Sequence, residues 1–113
     1  MIEMSCHCGA VRFAVETAPD EVTDCNCSIC RRYGTLWAYY QRPQVRFAAD
    51  SGPTDVYVWN RRWLEFHRCR ACGCVTHWSA TDLTQERMGV NARLMAPEML
   101  AGIAVRQFDG ASA

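Results

Sequence analysis

Eight cysteines in 113 residues, gathered into three short runs, constrain this chain more than any other feature. Cys6 and Cys8 form a CxC, Cys25, Cys27 and Cys30 a CxCxxC, and Cys69, Cys72 and Cys74 a CxxCGC. Closely spaced thiols can place their sulfurs on one metal ion from a tight turn, and Gly9 and Gly73 stand where the backbone has to bend round that ion. The opening stretch MIEMSCHCGAV has no basic and apolar leader, and no run reaches the roughly 18 apolar residues that cross a bilayer. The expectation is a cytoplasmic protein, off the membrane, whose thiols stay reduced. Its cysteines then point to metal rather than to a disulfide framework.

Ligand counting divides them. A structural zinc takes four ligands in a closed tetrahedron, and two remote pairs, Cys6 with Cys8 and Cys69 with Cys72, supply four. Such a site would tie the start of the chain to a late hairpin. Cys25, Cys27 and Cys30 are left as a set of three, and a zinc held by three side chains keeps one position open for water or substrate. Three thiolates make a weak Lewis acid, better suited to holding a substrate thiolate than to making hydroxide. Two other arrangements use the same residues: Cys74 closes the trio into a second structural site, or Cys27 and Cys30 join Cys69 and Cys72 in a ribbon. A redox pair of Cys74 with Cys30 is a further reading. No histidine is assigned to metal, since His7 lies between two ligands and His67 and His77 fall on predicted strands.

The length fits one domain, residues 1–113, and half the residues are hydrophobic with 21% charged, a globular balance. Apolar and polar residues alternate through Val11–Val15, Val45–Phe47 and Val56–Val58, the period of half-buried strands. Further strands are predicted over 21–26, 36–41, 63–68, 74–79 and 103–108. Helical signals are confined to a turn at Ser28–Tyr33 and to Ala96–Leu100, where Pro97 suits a first helical position. The fold class is mainly β, sheets with short helices and a metal staple.

The formal charge is zero and every basic side chain but the histidines is arginine. Arg31, Arg32, Arg42, Arg46, Arg61, Arg62, Arg68 and Arg70 crowd the middle of the chain, where Asp50, Asp55 and Glu65 are the only acids. Such a patch can face thiolates or an anionic substrate, or be a solvated surface. Overall neutrality argues against a nucleic-acid partner. Asn26 and Ser28 alternate with the trio, placed to donate to sulfur or substrate or to cap the following helix. The aromatic run Leu36-Trp37-Ala38-Tyr39-Tyr40 reads as core strand or as the wall of a pocket beside the metal.

SCHCGAVRF, CNCSICRRYGTLWAYY, HRCRACGCVTHW and GVNARLM, in that order, resemble the glutathione-dependent formaldehyde-activating enzyme family, also called the GFA or CENP-V family, over essentially the whole chain. The resemblance implies a Mss4-like fold of twisted β-sheets, a structural zinc on Cys6, Cys8, Cys69 and Cys72, and a catalytic zinc on Cys25, Cys27 and Cys30. It also implies a carbon–sulfur lyase acting on thiol–aldehyde adducts such as S-hydroxymethylglutathione, with a small thiol, glutathione among them, as partner. Asn91 and Arg93 match a family element and are candidate contacts for a substrate carboxylate. The rival reading is a non-catalytic zinc module of the same fold that binds a protein. Oligomeric state and the natural thiol are not legible in the chain.

Overall fold

Period-2 patterning becomes two sheets. In the computed structural model, which describes residues 1–113, β1 (Ile2–Ser5), β2 (Arg12–Val15) and β5 (Val45–Phe47) form a three-stranded antiparallel sheet in the order β1-β2-β5. The other strands are β3 (Glu21–Cys25), β4 (Trp37–Gln41), β6 (Thr54–Trp59), β7 (Leu64–Cys69), β8 (Val75–Ala80), β9 (Arg87–Asn91) and β10 (Ala104–Phe108). They build a seven-stranded sheet in the order β10-β3-β4-β9-β8-β7-β6, antiparallel except where β10 runs parallel to β3. The main core includes Met4, Phe13 and Val15 from the small sheet and Val22, Ala38, Tyr40 and Val90 from the large one. A second, smaller core of Cys25, Cys30, Trp37 and Phe66 lies apart from it.

Both expected helices form. In α1 (Ser28–Tyr33) the N-cap is Cys27, whose sulfur accepts from the Cys30 N–H, and Gly34 closes the helix in the left-handed conformation. The second, α2 (Pro97–Leu100), starts on Pro97.

Two strands escape the sequence reading and one differs from it in burial. β1 is four residues long, and β9 carries Gly89 in its centre, which reads as a breaker. That glycine faces Trp78 across the β8–β9 ladder, where a Cβ would sit 2.2 Å from the indole nitrogen. The strand needs a residue without a side chain there. β6 was expected to be half-buried through Val56 and Val58, yet these are 42% and 43% exposed, on the strand that ends the large sheet. β10, the other edge, is likewise exposed along its length.

Candidate functional site

The structure gathers seven of the eight cysteines into two groups, Cys6, Cys8, Cys69 and Cys72 in one and Cys25, Cys27 and Cys30 in the other, with the sulfurs of each group within 4.8 Å of one another. The quartet joins two near-identical turns. In each, the first cysteine's N–H donates to the carbonyl five residues on (Cys6 to Val11, Cys69 to Cys74), and its carbonyl accepts from a glycine N–H (Gly9, Gly73). Both glycines have positive φ, 80° and 79°. Val11 N–H donates to Cys6 Sγ at 3.3 Å and Cys72 N–H to Cys69 Sγ at 3.5 Å. One turn leaves β1 of the small sheet and the other links β7 to β8 of the large one, so the quartet bridges the two sheets.

These residues fit a soft tetrahedral cation. Cys8 Sγ lies 3.7 Å from both Cys6 Sγ and Cys69 Sγ, and four sulfurs at about 2.3 Å from a zinc ion stand about 3.8 Å apart. Their ionisation asks for positive charge as well. The N–H groups of Cys74 and Cys8 draw the Cys72 thiol down to about 5. Cys8 is pushed up to about 11, since the Ala10 N–H favours its thiolate but lost hydration and the sulfurs of Cys6, Cys69 and Cys72 outweigh it. A dication would let all four ionise together.

The trio is built locally. Cys25 ends β3, Cys27 caps α1 and Cys30 lies in its first turn, so one tight bend brings the three sulfurs together. Trp37 Nε1 donates to Cys30 Sγ at 3.3 Å, and the Cys30 N–H lies 3.5 Å from Cys27 Sγ. Burial raises the Cys30 and Cys25 thiols. Burial opposes ionisation of Cys27 too, but the Cys30 N–H and the Cys30 and Cys25 thiols outweigh it and lower that thiol. The set is complete at three: Cys74 belongs to neither group and packs against the main core. The closed second site and the ribbon pairing are thereby corrected, as is the Cys74–Cys30 redox pair, because the fold puts Cys74 beside the quartet, where its sulfur meets the His7 N–H.

All three trio cysteines line a cavity of about 570 Å³ with Trp37, Tyr39, Phe66 and Trp78 of the large sheet. The aromatic run is therefore both core and wall: Trp37 is 1% exposed yet its indole touches a trio sulfur. The chain's last residues, which sequence reasoning missed, cross beside the trio as a strap. Asn26 holds it there, donating from Nδ2 to Asp109 Oδ1 at 3.0 Å and accepting at Oδ1 from the Ala111 N–H at 3.0 Å. A Cβ on Gly110 would lie 2.5 Å from Cys25 Sγ. Ser28 Oγ accepts from Arg32.

Other expected participants stand elsewhere. Asn91 is buried, donating to the Val75 carbonyl at 2.9 Å and accepting from the Arg93 N–H, while Arg93 Nε donates to the Gly34 carbonyl at 2.6 Å. Neither lines the cavity. Of the central arginines, Arg46 and Arg70 pair with Glu16 and Asp55, and Arg42 donates to two backbone carbonyls. His67 and His77 stack on each other with ring centres 4.1 Å apart.

Fold and site together define a mainly β protein with two thiol-rich centres suited to zinc, one closed and one facing a cavity. The family model of the glutathione-dependent formaldehyde-activating enzyme matches residues 1–105, and the chain belongs to that family. A crystal structure of a Rhodobacter sphaeroides protein superposes with a TM-score of 0.73 at 25% identity, covering 93% of this chain and 100% of that one. No helix is long and apolar enough to cross a membrane.

Proposed function

We propose that residues 1–113 act as one zinc-dependent unit that makes and breaks thiol–aldehyde adducts, a carbon–sulfur lyase of the GFA type. One observation carries the reading: the trio opens on a cavity, while the quartet closes on itself with four sulfurs. In this reading Cys6, Cys8, Cys69 and Cys72 hold a structural zinc, and Cys25, Cys27 and Cys30 a catalytic one. A zinc on three thiolates supplies a place where an incoming thiol ionises at neutral pH.

The reaction balances without a further reagent. The sulfur–carbon bond forms as the carbonyl π pair moves to oxygen, and that oxygen takes up the proton the thiol gave; the lyase direction reverses each move. The chain's own residues prepare it. Trp37 and the Cys30 N–H hold the Cys30 and Cys27 sulfurs by hydrogen bonds, and the apolar walls keep water away. Tyr39 brings the lining's phenol donor: burial moves its hydroxyl still further from ionising, and a turn away from its Thr23 partner would let it donate to the aldehyde oxygen.

The test is exchange NMR of formaldehyde with thiols, with and without zinc-loaded protein. Acceleration that disappears in Cys27→Ser, together with two zinc ions per chain falling to one, supports the lyase. A zinc-loaded chain that accelerates no adduct overturns it.

A further inference from the structure

Resting on that reading, we infer that the thiol handled at the trio is an uncharged one with an aromatic or branched aliphatic body, rather than a charged peptide thiol. Whatever sulfur joins the trio carries its substituent into the cavity, because all three cysteines are part of its wall. That wall is aromatic: Trp37, Phe66 and Trp78 come from the large sheet, Trp59 from the end of β6 and Phe108 from the end of β10. It contains no arginine, histidine, aspartate or glutamate, and Ser28, Tyr39 and Asn60 are its polar side chains.

A thiol such as glutathione carries two carboxylates, which lose hydration in such a place and meet no cationic side chain in the lining. Four of the surrounding arginines are turned to other partners. The Arg87 guanidinium lies over the Tyr39 ring at 4.3 Å, and that of Arg106 lies 5.2 Å from the Phe108 ring centre while bonding to Thr23. Arg32 donates to Ser28 and Arg93 to the Gly34 carbonyl. Size is no obstacle, since about 570 Å³ is within the usual range for small-molecule sites. Charge is what selects, and aromatic faces favour an aromatic or branched apolar partner.

The experiment uses the full chain loaded with two zinc ions, formaldehyde as the common aldehyde, and 2-phenylethanethiol or glutathione as thiol. Exchange NMR reads the adduct rate and saturation-transfer NMR reads binding of the phenyl group. The expected result is at least a tenfold greater acceleration for 2-phenylethanethiol, phenyl protons saturated from the protein's aromatic protons, and loss of that preference in Trp78→Ser. Should that variant fail to fold, Trp59→Ala, at an exposed edge, is expected to narrow the preference. Equal or greater acceleration for glutathione overturns the apolar-thiol inference and leaves the lyase standing. Binding of 2-phenylethanethiol without acceleration of either thiol overturns the lyase and leaves an apolar thiol site. No binding and no acceleration overturns both.

Discussion

The two cysteine groups use the same chemistry to opposite ends. The quartet joins residues remote in sequence, Cys8 and Cys69 being 61 positions apart, and two of its members, Cys6 and Cys69, are part of the main core. The trio spans six residues and makes its own small core with Trp37 and Phe66. A cross-link between distant segments removes far more freedom from the unfolded chain than one within a single turn, so on the proposed reading metal on the quartet would stabilise the fold and metal on the trio would add little. The group expected to contribute less to folding is the one that faces a cavity.

The largest effect should come from breaking the quartet. Cys69→Ser removes a ligand from the bridge between sheets, and structural zinc sites contribute about 10–16 kcal/mol of apparent binding energy, as much as a domain's whole stability. The expected result is a chain without cooperative unfolding in far-UV circular dichroism. A normal melting curve would show that the quartet is no staple.

Cys27→Ser should separate the two groups. It is expected to lower the adduct rate at least a hundredfold and leave one zinc per chain, while shifting Tm by only a few degrees. If it unfolds the protein as Cys69→Ser does, the contrast between the groups is lost.

Much of this was legible because ligand spacing is local. Four sulfurs and three sulfurs can be counted in the sequence, and the turns at Gly9 and Gly73 follow from backbone chemistry that needs no tertiary contact. The cavity was half legible: Trp37 and Tyr39 stand in an aromatic run that reads as core strand or pocket wall, but Trp78, Phe66 and Phe108 reach it from strands distant in sequence. The strap was not legible at all. Asn26 lies between two ligands, and nothing local shows that its carboxamide is engaged by residues 109 and 111. Val56 and Val58 failed for the converse reason, as alternation records which residues could be buried but not whether anything arrives to bury them.

The strap offers a smaller test. Gly110→Val would put a branched side chain where even a Cβ comes within 2.5 Å of Cys25 Sγ and 3.1 Å of Cys27 Cβ. Overpacking of this kind costs about 1–3 kcal/mol, and here the strain is relieved by lifting the strap or shifting the trio. The expected outcome is weaker zinc at the trio, seen as faster loss of one of two zinc ions to a chelator, with the other unchanged. Equal loss of both would mean that the trio and the quartet are mechanically coupled.

The smallest effect concerns neither group, and it corrects the pH dependence that both would be blamed for. His77 packs between the sheets with Phe47, hydrogen-bonds Thr76 and stacks on His67. Burial first, then the neighbouring His67 and Arg42 charges, lowers its pKa from the ordinary 6.5 to about 3. The unfolded chain therefore takes up a proton near pH 6.5 that the folded chain refuses until about pH 3. Its stabilising contribution is complete above 6.5 and is lost as pH falls through that window, by at most about 1.4 kcal/mol per pH unit. His67, also lowered by burial, acts in the same direction. Protonation of zinc-bound thiolates would also weaken the protein in acid, so a wild-type profile alone assigns nothing. The difference does: in zinc-saturated buffer between pH 7.5 and 5.5, urea unfolding of His77→Phe is expected to show a shallower pH slope, by up to one proton. Parallel slopes for the two proteins would return the whole acid sensitivity to the cysteines.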